Sequence, residues 1–290
     1  MILVTGATGQ LGGSVVENLL KKVPASEVAV LVRDAAKAEH LAAQGVDVRV
    51  GSYFDKVSLA SALQGIDKVL LVSSNDFNDR LGQHKNVVDA AKNAGVKHIL
   101  YTGIALKDIN TSPLKPLFGD HFETEDYIKA SGLTYTFLQN SLYFEVIPQF
   151  VGAGVLETGV FFPAGEGKVA FASRQELGEI TATILTTEGH ENQTYPLTGS
   201  EAYSFAEIAA ELSTLSGKNV PYINPEPAAF EGALKQFGLP DVIVLMSVLF
   251  AAAVKNGDFD QPSPVLENIL GRKTTTLSSF LKEAFTLETA

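Results

Sequence analysis

The chain contains no cysteine. That absence removes disulfides, thiolate zinc sites and a cysteine nucleophile together, and it fits a reducing cytoplasm. Charge is also scarce: 19% of the 290 residues are charged, no run is basic, and the formal net charge is −11. Nucleic acids are bound by Lys and Arg that neutralise phosphates, and anionic membrane surfaces attract the same residues, so neither partner is expected. Long apolar runs are missing too. The longest, Val242–Val254 interrupted by Ser247, is too short to span a bilayer and reads as a buried or interface helix. There is no Gly-x-Ser-x-Gly elbow and no Gly-Lys-Ser/Thr phosphate loop, which sets aside hydrolase and nucleotide-hydrolysing readings. What is abundant is apolar surface, 46% of residues, as in a globular protein of one large domain or one domain with a smaller appendage.

The most informative stretch is Ile2-Leu3-Val4-Thr5-Gly6-Ala7-Thr8-Gly9-Gln10-Leu11-Gly12. A β-branched apolar run is followed by three glycines at spacing three and then by an amphipathic segment, Ser14–Lys22. Strand, glycine turn, helix is the order that a dinucleotide-binding turn requires. Gly6 permits a sharp turn, Gly9 lets the main chain approach a pyrophosphate, and Gly12 lets the helix pack close to the strand. Thr8, Gln10 and Leu11 fill the turn and present backbone N–H groups to phosphate at the helix start. With a strand beginning at Ile2, no signal or transit peptide is expected ahead of the fold.

Strand-like and helix-like segments then alternate. Val28–Val32, Val46–Val50, Lys68–Val72, His98–Thr102 and Thr134–Leu138 read as strands. Lys37–Ala43, Lys56–Leu63, Leu81–Ala94 and Gly119–Ala130 read as helices. Short, continuously apolar strands between helices predict a doubly wound α/β domain with a parallel sheet. Ligands bind such sheets outside the carboxyl ends of the strands. That edge holds Gly6–Gly12, Arg33, Tyr53, Ser73, Ser74, Thr102, Gly103, Asn140 and Tyr143. After about Tyr143, glycines and prolines multiply and the rhythm changes. The division expected is a dinucleotide-binding domain over 1–147, with 168–198 returning to it, and a smaller, mainly helical substrate lobe over 148–290. In the latter half Gln175–Thr186, Phe205–Ser216 with Ser204 as N-cap, Pro227–Phe237, Asp241–Lys255 and Pro264–Leu270 read as helices, and Thr194–Leu197 as a strand.

Thr5–Gly12, Leu31-Val32-Arg33-Asp34, Ala94-Gly95-Val96-Lys97-His98, Tyr135–Asn140, Glu188–Glu191 and Leu270–Leu277 together resemble the NmrA-like atypical short-chain dehydrogenases/reductases. Within that family the chain is similar to the bacterial NADPH-dependent quinone oxidoreductases and triphenylmethane reductases. The resemblance covers essentially the whole chain. It implies a Rossmann fold that binds NADPH, a small C-terminal lobe over the nicotinamide, and hydride transfer to a quinone-like acceptor. Some relatives are redox sensors, so a regulatory protein that binds NADP(H) and a protein partner without turnover stands as the alternative. The family pattern Leu-Arg-Asn is here Leu138-Gln139-Asn140, which removes a positive charge near the site.

Arg33 follows the second strand, where a cationic fork can pair with the 2′-phosphate of NADP; Asp34 beside it is a competing partner. No tyrosine has the Tyr-x-x-x-Lys spacing of ordinary short-chain dehydrogenases: Tyr101, Tyr127, Tyr135 and Tyr143 are followed at the fourth place by Ala105, Ser131, Gln139 and Ile147. Ketone reduction makes a basic alkoxide that benefits from a positioned acid. A reduced quinone is an aromatic oxyanion of pKa about 10, like tyrosine, and needs far less proton assistance. The missing motif therefore favours a quinone-like or cationic dye acceptor. His121 and Glu125 share one helix face; His121 either polarises a bound carbonyl or pairs with Glu125 on the helix surface. In the plant reductase branch a lysine stands near the place of His121. Tyr101 either touches substrate or is a core strand aromatic. Asn140 and Tyr143, with Ser141, are placed to orient the carboxamide. Phe77, Phe118, Phe144 and Phe150 are candidates for an apolar floor under a flat ligand, or for core. Two ligands do not fill a metal shell, so no metal is expected, and the oligomeric state stays open.

Overall fold

The computed structural model describes residues 1–287; the last three positions of the lobe expected over 148–290 lie outside them. The described chain divides into two compact units. One comprises Met1–Ile104, Leu117–Asn140 and Arg174–Leu197, the other Ala105–Pro116, Ser141–Ser173 and the chain from Thr198 onward.

The first unit is a seven-stranded parallel sheet between helices. Its strands are β1 (Ile2–Thr5), β2 (Val28–Val32), β3 (Asp47–Val50), β4 (Lys68–Leu71), β5 (His98–Ile104) and β6 (Thr134–Asn140), with Gln193–Leu197 closing one edge. Their order is β3-β2-β1-β4-β5-β6 followed by the closing strand, and every neighbouring pair is parallel. The order reverses at β1, so the crevice outside the carboxyl ends of β1 and β4 is the expected ligand position. β1, β2 and β5 are buried at every residue, which is why they do not alternate apolar with polar positions; Thr5, His98 and Thr102 are polar residues buried within them. On one face Leu3, Leu31, Leu71, Tyr101 and Phe137 pack with Leu59, Val87, Val88 and Ile128 from the covering helices. The doubly wound α/β expectation is met.

The first helix is Gln10–Leu19. It starts directly off the glycine turn, four residues before the expected Ser14–Lys22, because Gly9 serves as N-cap. Its far side packs against the helix Arg174–Thr186, where a Cβ on Gly178 would stand 2.1 Å from Ser14 Oγ. The segment expected as one helix, Lys37–Ala43, is a 3₁₀ turn, Ala35–Ala38, and a short helix, Glu39–Ala42. Asp34 caps the turn through its side chain and so starts it early.

In the second unit Phe162, Phe171, Phe205 and Phe259 are fully buried. Ser204 forms a capping box with Glu207 at the start of Phe205–Ser216. The apolar run Val242–Val254 lies inside the helix Asp241–Lys255. Two-residue strands, Val160–Phe161 beside Tyr222–Ile223 and Lys168–Val169 beside Tyr203–Ser204, tie the loop-rich part together. No helix among the described residues is long and apolar enough to cross a membrane.

Candidate active site

The glycine turn is built as a cradle. Gly6 has φ +62°, the left-handed region that glycine enters without a Cβ penalty. A Cβ on Gly12 would lie 2.3 Å from the Gly6 carbonyl oxygen, so only glycine allows the helix to approach β1 this closely. Gly9 caps the helix with no side-chain bond, and the first turn carries no acid. The leading N–H groups and the positive end of the helix dipole are thus left for an anion.

Arg33 is exposed just beyond β2. Asp34, its competing partner, is turned away: Asp34 Oδ1 accepts the Ala36 N–H at 3.0 Å. Among the described residues no carboxylate pairs with Arg33, and its charge acts on the Tyr53 phenol. Burial outweighs that charge and raises the phenol above its usual value. The Tyr53 hydroxyl joins Thr5 Oγ1 and donates to the Val72 carbonyl at 2.9 Å, while Thr5 Oγ1 accepts the Val72 N–H at 2.9 Å. Tyr53 therefore fastens the ends of β1 and β4 together. Thr102 Oγ1 accepts the Ser73 N–H at 2.8 Å, and the Ser74 N–H donates to His84 Nε2 at 3.0 Å.

Beyond these strand ends runs a string of rings. Tyr53 meets His84 edge-on, His84 meets Tyr101, Tyr101 meets His121, His121 stacks on Phe118 at 5.8 Å, and Phe118 meets Phe77 edge-on. Arg80 lies over both Phe77 and Phe118. Its guanidinium grips Asp120 with Nε–Oδ2 at 2.7 Å and also donates to the Leu117 carbonyl, a forked pairing that fixes the helix Lys115–Ser131 against the helix Arg80–Asn93.

His121 is buried, at 6% exposure, which removes the surface-pair reading. Its Nδ1 lies 2.8 Å from the Tyr101 hydroxyl. Tyr101 has no exposed surface, so any effect it has on a ligand passes through His121. Burial, and then the Arg80 charge, push His84 down to about 3. The same two causes, with His84 added, hold His121 well below its ordinary value, and burial raises the Tyr101 phenol. All three are neutral at pH 7. Glu125 is bound by Gln139, whose Nε2 donates to Oε1 at 3.0 Å; burial raises its carboxyl above the usual range. A Cβ on Gly103 would stand 2.9 Å from Glu125 Oε1, so this glycine makes room for the carboxylate.

Asn140 ends β6, and among the described residues its buried Oδ1 has no hydrogen-bond partner. Tyr143 belongs to the second unit, where it bridges to Ala172. The four phenylalanines divide in the same way. Phe77 and Phe118 are in the ring string, whereas Phe144 packs on Phe171 and Phe280, and Phe150 on Phe162, Phe205 and Phe250. His84, Thr124 and Arg80 were not singled out from sequence. For Arg80 and His84 a signal was present: Arg80, His84, Val87, Val88 and Ala91 recur at helical spacing, so a cation and an imidazole sit in an inward stripe.

These features fit a nicotinamide dinucleotide phosphate. Gly6, Gly9 and Gly12 with the helix start would hold the pyrophosphate, Arg33 the 2′-phosphate, and the orphaned Asn140 oxygen an amide N–H. Residues 1–283 match the family model described as NmrA-like. The chain is 45% identical over 287 residues to quinone oxidoreductase 2 of Escherichia coli (strain K12), covering 98% of this chain and 99% of that protein. The structure of the E. coli NADPH-dependent quinone oxidoreductase complexed with NADPH matches with a TM-score of 0.93 at 42% identity, over 98% of this chain and 100% of that one. Citrobacter sp. triphenylmethane reductase complexed with NADP(H) matches with a TM-score of 0.91 at 40% identity, over 98% and 100%. The glycine cradle, the sheet order and these likenesses extend over nearly the whole chain, which belongs to the NmrA-like family.

Proposed function

We propose that the chain is an NADPH-dependent oxidoreductase that passes hydride directly to a quinone-like or flat aromatic acceptor. One observation carries the reading: the carboxyl edge of a dinucleotide-binding sheet holds a neutral histidine stacked among aromatic rings, with no Tyr-x-x-x-Lys acid. NADPH, when bound, supplies the hydride. The protein's part is to bind, to orient and to stabilise charge. Arg33 selects the phosphorylated cofactor, and Asn140 orients the carboxamide. His121 offers a ring N–H to the oxygen on which negative charge develops, and Phe77 and Phe118 extend the apolar wall beside it. A reduced quinone is stabilised by such a hydrogen bond without full proton transfer, so a neutral donor suffices. The names of the 45% identical oxidoreductase and of the triphenylmethane reductase agree with this acceptor class. The reading includes a small aromatic partner and a cytoplasmic location, the latter in keeping with a chain that has no cysteine.

The test uses NADPH deuterated on one face at C4 with a panel of benzo- and naphthoquinones. Label should leave the cofactor upon quinone addition, with a primary isotope effect on turnover and no flavin present. Tight NADPH binding with no oxidation above background across the panel overturns the reading. His121→Ala should lower turnover about tenfold or less, below the 10²–10⁴ lost with an essential acid.

A further inference from the structure

Hydrogen positions in the ring string follow from one group that has no choice. The Ser74 N–H can only donate, and it meets His84 Nε2 at 3.0 Å. His84 is neutral, so its proton sits on Nδ1. That N–H faces Thr124 Oγ1 at 3.0 Å and the Tyr101 oxygen at 3.5 Å. Thr124 spends its own hydroxyl proton on the Asp120 carbonyl at 2.7 Å, leaving its oxygen to accept. Of the two ring nitrogens beside the Tyr101 phenol, only His121 Nδ1 has a lone pair left, and it lies 2.8 Å away. That 2.8 Å contact, shorter than the one to His84, assigns the phenol proton to His121 Nδ1 in preference to Thr124 Oγ1, which also neighbours the phenol and already accepts the His84 N–H; the single proton of that neutral ring is then on Nε2. Among the described residues no protein group hydrogen-bonds His121 Nε2.

We propose that Tyr101 and His84 are positioning residues that lock His121 in its Nε2–H tautomer, so that one fixed donor faces the acceptor. The proposal rests on the hydride-transfer reading above. A free imidazole exchanges its proton between two nitrogens; here a backbone amide at the end of β4 decides the matter two rings away. Charged and titratable groups around the string are Arg80 and Asp120, which pair with each other, and Glu125, which is held by Gln139. None of them supplies a competing hydrogen bond to His121. Tyr101 thus acts without touching a ligand, in keeping with its full burial.

The test reads the tautomer itself. Full-length protein labelled with ¹⁵N-histidine is examined by long-range ¹H–¹⁵N correlation near pH 7 without cofactor, and His121→Asn and His84→Gln assign the two rings. His121 should show only the Nε2–H form and His84 only the Nδ1–H form. In Tyr101→Phe the His121 signal should move to a mixture of tautomers. Its kcat should fall about three- to tenfold, the scale of one lost hydrogen bond, with the KM for NADPH unchanged. His84→Gln should keep the tautomer and kcat, because an amide can accept from Ser74 and donate to Thr124; His84→Leu should behave like Tyr101→Phe. An Nδ1–H form of His121 in the unmodified protein overturns the proposal. So does a Tyr101→Phe variant whose tautomer or kcat is unmoved, which keeps the test decisive even where His84→Leu does not fold. The expected tautomers in a protein that turns over no quinone would support the assignment and overturn the hydride-transfer reading alone.

Discussion

Arg33 shows how a single residue's meaning depends on its neighbour. In the sequence Asp34 competes for the guanidinium; in the structure its carboxylate is consumed by the Ala36 N–H. Arg33 is thereby left for a phosphate. NADPH should bind about ten- to a hundredfold more tightly than NADH, the worth of a charge-assisted contact, and Arg33→Ala should erase the preference. Nicotinamide fluorescence titrations with both cofactors check this, and equal affinities in the unmodified protein would remove Arg33 from the site. The strand, glycine turn and helix were legible because they are consecutive in the chain. The partners of His121 were not. Tyr101, His84 and Thr124 come from three different elements, and no spacing in the sequence encodes which of them will share a proton. Gln139 stands out in the sequence as a lost charge, and the structure adds its partner, Glu125.

At the scale of the element, the strands were legible and the helix ends less so. A strand buried on both faces is mostly apolar without alternation, so β1, β2 and β5 declare themselves even though Thr5, His98 and Thr102 are buried polar residues within them. Helix starts depend on caps: Gly9 moved one start by four residues, from Ser14 to Gln10, and Asp34 another by two, from Lys37 to Ala35. The two-residue strands of the second unit escape because two residues carry no period. Packing at the glycine cradle gives a sharp prediction. Gly12→Ala forces the first helix off the Gly6 carbonyl, and overpacking of this kind costs about 1–3 kcal/mol. NADPH affinity should fall together with the thermal midpoint, read by calorimetry with and without cofactor. Gly9→Ala, where the nearest atom would be 3.3 Å away, should lower the midpoint less. Equal losses in the two variants would contradict the close approach at Gly12.

For the whole molecule, the buried imidazoles set an acid limit. Burial lowers His84, His98 and His121 in the folded state, so below pH about 6.5 the unfolded chain binds protons that the folded chain refuses. Stability is therefore fully present above that pH and is lost as the pH falls; for His84 the slope approaches about 1.4 kcal/mol per unit between its unfolded and folded values. The loss from His84 continues to about pH 3. Glu125, raised by burial, takes up its proton earlier when folded and works in the opposite direction. Urea midpoints should be level from pH 8 to 7 and drop steeply from pH 6.5 to 5, with a shallower drop in His84→Gln. A level profile down to pH 5 would show that these rings are not held neutral.

The contact between the first helix and Arg174–Thr186 also bears on the order of assembly. Ser14 and Gln175, which meet across it at 3.4 Å, are 161 positions apart. On the ribosome, the nucleotide cradle emerges well before the helix that backs it, which is in place only when the chain has grown past Gly178. Contacts so distant in sequence are slow to form. Cofactor cannot rescue a nascent or truncated chain that stops short of this helix, and a fragment ending at Asn140 should fold no better in saturating NADPH than without it. A cradle made ahead of its backing thus reaches its working shape late.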